Sequence, residues 1–239
     1  MITAKSEFFV QRATKTVSVA KQLAVKWTWQ EQTPDEMQTQ LEAVTGNSTL
    51  TPPVAGQMEI ESQAERTRLN THGLWLAGLK NLHQLTVQGL NMAKTKFRSD
   101  AASLAVLHGL NAAGHSPEKI LAEALAWESA WGKIAPTWSP TPANTLAAFK
   151  PLRQQCAEDL QTAFADADSV HREASATLEQ MCAGLEATNV AWYASATMVF
   201  PAGTPEGDLI RTGIPTTYTP PPPKPSPSPA PAAAPAKTP

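Results

Sequence analysis

Charge is scarce in this chain of 239 residues: Asp, Glu, Lys and Arg make up 17%, and 19 basic against 21 acidic residues leave a net charge of −2. A balance so near neutral gives no electrostatic footprint for nucleic acid or an anionic membrane surface. Tyrosine occurs twice and β-branched runs are few, a composition that favours helix over sheet. No run of apolar residues approaches the about eighteen needed to span a bilayer, which excludes a hydropathic transmembrane helix. Cysteine is limited to Cys156 and Cys182. Both fall in a helix expected over 142–200, where a rise of about 1.5 Å per residue sets them about 39 Å apart. A disulfide needs Cα atoms within about 7 Å, so the expectation is two buried, reduced thiols. Met1-Ile2-Thr3-Ala4-Lys5-Ser6-Glu7 lacks the charged-then-apolar layout of a signal peptide, and a cytoplasmic location is expected.

The signatures of common chemistries are missing too. There is no Gly-x-Ser-x-Gly elbow, no phosphate-binding glycine loop and no dinucleotide fingerprint. Neither cysteine has an obvious activating histidine or basic neighbour in sequence. Asp168-x-x-His171 sets a carboxylate and an imidazole three apart on one helix, as di-iron bundles do, but such sites need a second such pair and two more carboxylates. No second pair exists, and His171 is expected to be a hydrogen-bonded core residue. No catalytic residue, metal ligand or cofactor is assigned, and the chain reads as non-enzymatic.

What is present is periodicity. Trp75, Leu79, Leu82, Thr86, Leu90, Ala93, Phe97, Ala101, Leu104 and His108 recur in steps of four, three and four, restarting every eleven residues. An eleven-residue repeat corresponds to about 3.67 residues per turn, close to a straight α-helix, so one face stays aligned without a left-handed supercoil. Thr86 and His108 are its polar members, and Asp100 lies on its edge.

Helix punctuation divides the rest. A helical hairpin is expected over 5–46, its second helix opened by the capping box Thr33-Pro34-Asp35-Glu36 and closed at Gly46. A loop over 47–56 leads to one long proline-free helix over 57–113, in which Gly73, Gly78 and Gly89 each cost about 1 kcal/mol relative to alanine. Gly114-His115-Ser116-Pro117-Glu118 stops it and caps a helix over 117–134, with Ile120, Ala124, Trp127, Trp131 and Ile134 on one face. Thr141-Pro142 repeats the cap and opens the helix over 142–200. Gly203-Thr204-Pro205-Glu206-Gly207 reads as turn chemistry, and 201–215 as an extended segment packed through Leu209, Ile210 and Ile214. From 216 to 239, repeated Pro with Ser, Ala and Thr reads as a disordered, polyproline-rich tail. The fold class is therefore all-α: long amphipathic helices in a bundle or coiled-coil-like arrangement over 1–200, with a Pro/Ala-rich tail. Of seven tryptophans, six are expected in the core, their indole N–H groups reaching loop carbonyls, and Trp138, between Pro136 and Pro140, at the surface.

The run Phe97-Arg98-Ser99-Asp100, Leu104, Leu107, then Ser116-Pro117-Glu118, Ile120-Leu121 and Trp127, together with the Ala- and Pro-containing tail, resembles the phasins, helical coat proteins of polyhydroxyalkanoate granules. The resemblance implies an apolar inclusion surface and other copies of the chain as partners, a place on storage granules, and no catalytic residues. Seven tryptophans, the segment from Pro201 to Tyr218 and the lack of a strongly basic tail depart from that pattern. The face that would meet an apolar surface or another helix is Trp75, Leu79, Leu82, Leu90, Phe97, Leu104, Ile120, Trp127 and Trp131. The alternative is a helical-bundle scaffold presenting its Pro-rich tail to a protein partner.

Overall fold

The computed structural model describes residues 4–216 and Tyr218, and they are all-α apart from one two-residue strand pair. The helices are α1 (Ala4–Leu23), α2 (Pro34–Thr45), α3 (Gln57–Lys96), α4 (Ala101–His108), α5 (Pro117–Ile134), α6 (Leu146–Ala157), α7 (Asp159–Val199) and α8 (Pro205–Gly213). Strands β1 (Gly46–Asn47) and β2 (Val54–Ala55) pair antiparallel inside the segment expected to be loop. Gly46 at φ +84° makes that turn possible, because a Cβ there would lie 2.7 Å from the Gly56 nitrogen. The expected tail lies outside the described residues, save for Thr216 and Tyr218.

The chain divides into two compact units. The first is Glu42–Met181; the second takes its described residues from Ile2–Leu41 and Cys182–Pro239. In the first, α3, α5 and α6 pack around Leu79, Leu82, Leu90, Ala93, Leu107, Trp127, Trp131, Phe149 and Cys156, all at most 4% exposed. In the second, α1 packs with α8, and Ala13, Val17, Ala20, Leu23, Trp192, Ala196, Ile210 and Ile214 are buried. Trp27 there meets Trp192 and Phe200 at ring centroid distances of 6.1 Å each.

Local chemistry accounts for the helix starts. The Thr33 N–H donates to Glu36 Oε2 at 2.6 Å while the Glu36 N–H donates to Thr33 Oγ1 at 3.2 Å, the reciprocal capping box. Ser116 Oγ accepts from the Lys119 N–H with Pro117 at the first position, so α5 spans the residues its punctuation predicts. Three boundaries differ. The helix expected over 57–113 ends at Lys96, because Asp100 accepts from the Ala102 and Ser103 N–H groups and starts α4 afresh. The helix expected over 142–200 begins at Leu146, capped by Thr145 rather than Thr141, and is interrupted at Glu158 between α6 and α7. Within the segment 201–215, expected to be extended, Pro205–Gly213 is helical: Thr204 Oγ1 accepts from the Gly207 N–H with Pro205 at the first position, the same device as at Thr33 and Ser116.

Candidate functional site

Within the first unit, the two ends of α3 present different surfaces. Toward its C-terminal end the helix meets α5 and α6 through apolar and aromatic groups. Trp127 stacks on Trp131 with centroids 5.2 Å apart, and Trp131 in turn meets Phe149 at 6.0 Å. Gly89 lets α3 approach the Trp127 indole, since a Cβ there would lie 2.9 Å from the ring. Two indoles reach backbone carbonyls: Trp131 Nε1 donates to Trp138 O at 2.8 Å and Trp75 Nε1 to Cys156 O at 3.1 Å. The Trp127 N–H has no such partner among the described residues. Trp138 is half-buried rather than exposed, edge-on to Phe97 at 5.5 Å.

Each residue of the expected apolar face has a definite place. Leu79, Leu82, Leu90, Trp127 and Trp131 are buried in this core, and Trp75, Phe97 and Ile120 lie half-buried against it. Leu104 is half-buried on α4, beyond the break at Phe97–Asp100. Thr86, polar within the stripe, is buried and its hydroxyl donates to Leu82 O at 2.8 Å; His108 is exposed. So the eleven-residue stripe is a continuous packing face from Trp75 to Phe97 and does not run on along one helix.

Toward its N-terminal end α3 meets α7 through polar groups. Gln57 Nε2 donates to Ala174 O at 3.0 Å. One turn on, Glu61 is fully buried; its Oε1 lies 3.2 Å from His171 Nε2 and accepts from Ser175 Oγ at 3.1 Å. Glu65, another turn on, brings a second carboxylate within 4.8 Å of the Glu61 and His171 ligand atoms. Arg68 then faces Asp168 at 4.0 Å, which also pairs with Arg172 at 3.0 Å. His72 and Trp75 close the series on Phe164, at 4.7 and 5.6 Å. His171 is thus hydrogen-bonded, as its sequence context predicts. Asp168 does not join it in a ligand pair, because two guanidinium groups hold that carboxylate. Glu61 and Glu65 carry no distinguishing signal in the sequence. Their spacing of four on an amphipathic helix is common to many solvated faces, and the partner helix begins about a hundred residues away.

Two open clefts lie in the same unit: one of about 420 Å3 lined by Asn91, Met92, Thr95, Lys96, Trp138 and Pro140, another of about 230 Å3 that includes Lys80, His83 and His115. Both cysteines are buried and reduced, and burial pushes each thiol pKa up, offset at Cys182 by a hydrogen bond with Ser6. A thiol so raised is a poor nucleophile at neutral pH. No helix among the described residues is long and apolar enough to cross a membrane. Comparison with family models, curated proteins and solved structures gives no match to this chain.

Proposed function

We propose that this protein is a non-catalytic, cytoplasmic helical scaffold whose bundle carries a Pro-rich segment, Thr216–Pro239, to a protein partner. One observation supports this reading above the others: the apolar stripe of α3 is already covered by α5 and α6 of its own chain. A stripe buried at that cost in ordering is a folding core, which leaves the outer surface and the proline-rich segment for recognition. Its Pro-x-x-Pro spacings suit aromatic grooves that accept a polyproline helix. The test is titration of the full chain, and of a chain ending at Pro215, against a panel of purified polyproline-binding domains. The scaffold reading expects micromolar binding that disappears with the segment while the unfolding midpoint stays put. No binding by the full chain, or equal binding by the shortened one, overturns it.

A second reading, the phasin-like granule coat, draws on the exposed leucines Leu69, Leu74 and Leu76 of α3, which lie 45–54% open to solvent. It requires α5 to swing off α3 so that the stripe meets the polymer, and it expects self-association. An engineered disulfide joining α3 to α5 would then abolish adsorption to polyhydroxybutyrate particles, and reduction would restore it. Adsorption indifferent to that lock, or absent altogether, removes the coat reading.

A further inference from the structure

The polar layer between α3 and α7 holds an unusual donor set for a bundle interior. Glu61 and Glu65 are one turn apart on α3, so their carboxylates share a face. His171 and Ser175 are one turn apart on α7 and point at the same carboxylate. One oxygen from each glutamate and one imidazole nitrogen all lie within 4.8 Å of one another. In a four-coordinate site with metal–ligand distances of about 2.0–2.2 Å, ligand atoms stand about 3.4 Å apart. Closing from within 4.8 Å to that spacing requires the half-buried Glu65 and His171 side chains to move toward Glu61.

We propose that Glu61, Glu65 and His171 form a divalent-cation site that clamps α3 to α7, with Ser175 orienting the Glu61 carboxylate. Two carboxylates match a charge of +2, which favours a divalent cation where Glu61 is fully buried. The mixture of one imidazole with two carboxylates selects the borderline transition metals, zinc and its neighbours, over magnesium or calcium, which prefer all-oxygen shells. Three protein ligands leave a coordination position for water. Metal ligation requires an unprotonated ring nitrogen, and Nε2 is the His171 nitrogen that faces Glu61. Arg68 and Arg172 lie beyond the cluster and are engaged by Asp168, which keeps their charge off the ligands. The inference is independent of the scaffold and coat readings.

Isothermal titration of the full chain, freed of metal by a chelator, with Zn2+ and in parallel Mg2+ provides the test. The expected result is one Zn2+ per chain and no Mg2+ binding. Glu65→Gln and His171→Ala each weaken Zn2+ at least tenfold, while Asp168→Asn leaves it unchanged. Glu65 is half-buried, so its amide variant keeps the fold, which circular dichroism and the metal-free unfolding midpoint verify. Co2+ in place of zinc adds a visible spectrum that the Glu65 variant must alter. Absence of stoichiometric Zn2+ binding overturns the proposal. So does binding that survives both ligand variants, or binding lost instead on changing His83 or His115.

Discussion

Between Gln57 and Arg68, α3 meets α7 through hydrogen bonds and ion pairs; between Trp75 and Ala93 the same helix meets α5 and α6 through leucines and indoles. The two stretches are held by different physics. Apolar packing is non-directional, so its strength follows the area and volume filled. The polar stretch depends on each group finding a partner at bonding distance, since a buried carboxylate without one is far costlier than a misfitted leucine. A repeat of apolar residues is enough to specify the first kind of contact. The second needs particular residues on two helices to coincide.

That contrast can be broken most forcefully at Trp127. Trp127→Ala removes a side chain only 1% exposed and leaves a large void against Trp131 and Gly89. It should cost about 3–5 kcal/mol in chemical denaturation. Gly89→Ala probes the same contact from the other side. Its new Cβ meets the indole at 2.9 Å, and after the gain in helix propensity a net loss of about 1–2 kcal/mol is expected. Gly73 lies between the two stretches, and an added methyl there would meet nothing within 4 Å, so Gly73→Ala should instead stabilise by about 0.5–1 kcal/mol. Equal effects at the two glycines would mean that close approach to Trp127 is not what Gly89 provides. Removing the hydroxyl that caps α5, by Ser116→Ala, should cost about 1 kcal/mol, and Ser116→Asp should retain most of it.

The smallest effect is in acid. The carboxyl of Glu36 is lowered by hydrogen bonds from the Thr33 backbone and hydroxyl, that of Asp100 by the Ser103 hydroxyl and N–H, and that of Glu206 by Lys26. A lowered folded-state pKa means the folded protein binds fewer protons than the unfolded chain. The stabilisation is therefore complete above the unfolded values of about 3.9 for Asp and 4.3 for Glu, and is lost as pH falls through the folded ones. Thermal midpoints of the protein and of Asp100→Ala should differ at pH 7, and the gap should begin to narrow below about pH 3.9 and shrink further as pH falls through the lowered folded-state pKa. A gap that persists at pH 2 would show that Asp100 acts through something other than its charge.

Much of the fold is legible from end-signals. Thr33, Ser116 and the face of Ile120, Trp127 and Trp131 depend on bonds or spacings within one or two turns, and α5 has the boundaries its sequence predicts. The errors share a cause. Asp100 reads as an impurity at the edge of a stripe when it is a cap, and Thr204-Pro205 reads as a turn when it is one more cap of the kind found at Thr33 and Ser116. A cap and an interrupted helix use the same residues, and only the backbone chosen by packing distinguishes them. Trp138 is held half-buried by Phe97 and Trp131, neighbours that its flanking prolines do not announce.

The sequence by itself determined that this chain is helical, where α5 begins, and that α3 carries one apolar face, because propensity, capping and period are local quantities. Only the tertiary structure decided what that face touches, and that Glu61 and Glu65 would meet His171 while Asp168 turned to Arg68 and Arg172. Those meetings bring together helices whose facing residues stand about a hundred positions apart in the chain, and no local pattern encodes which two helix faces will come together.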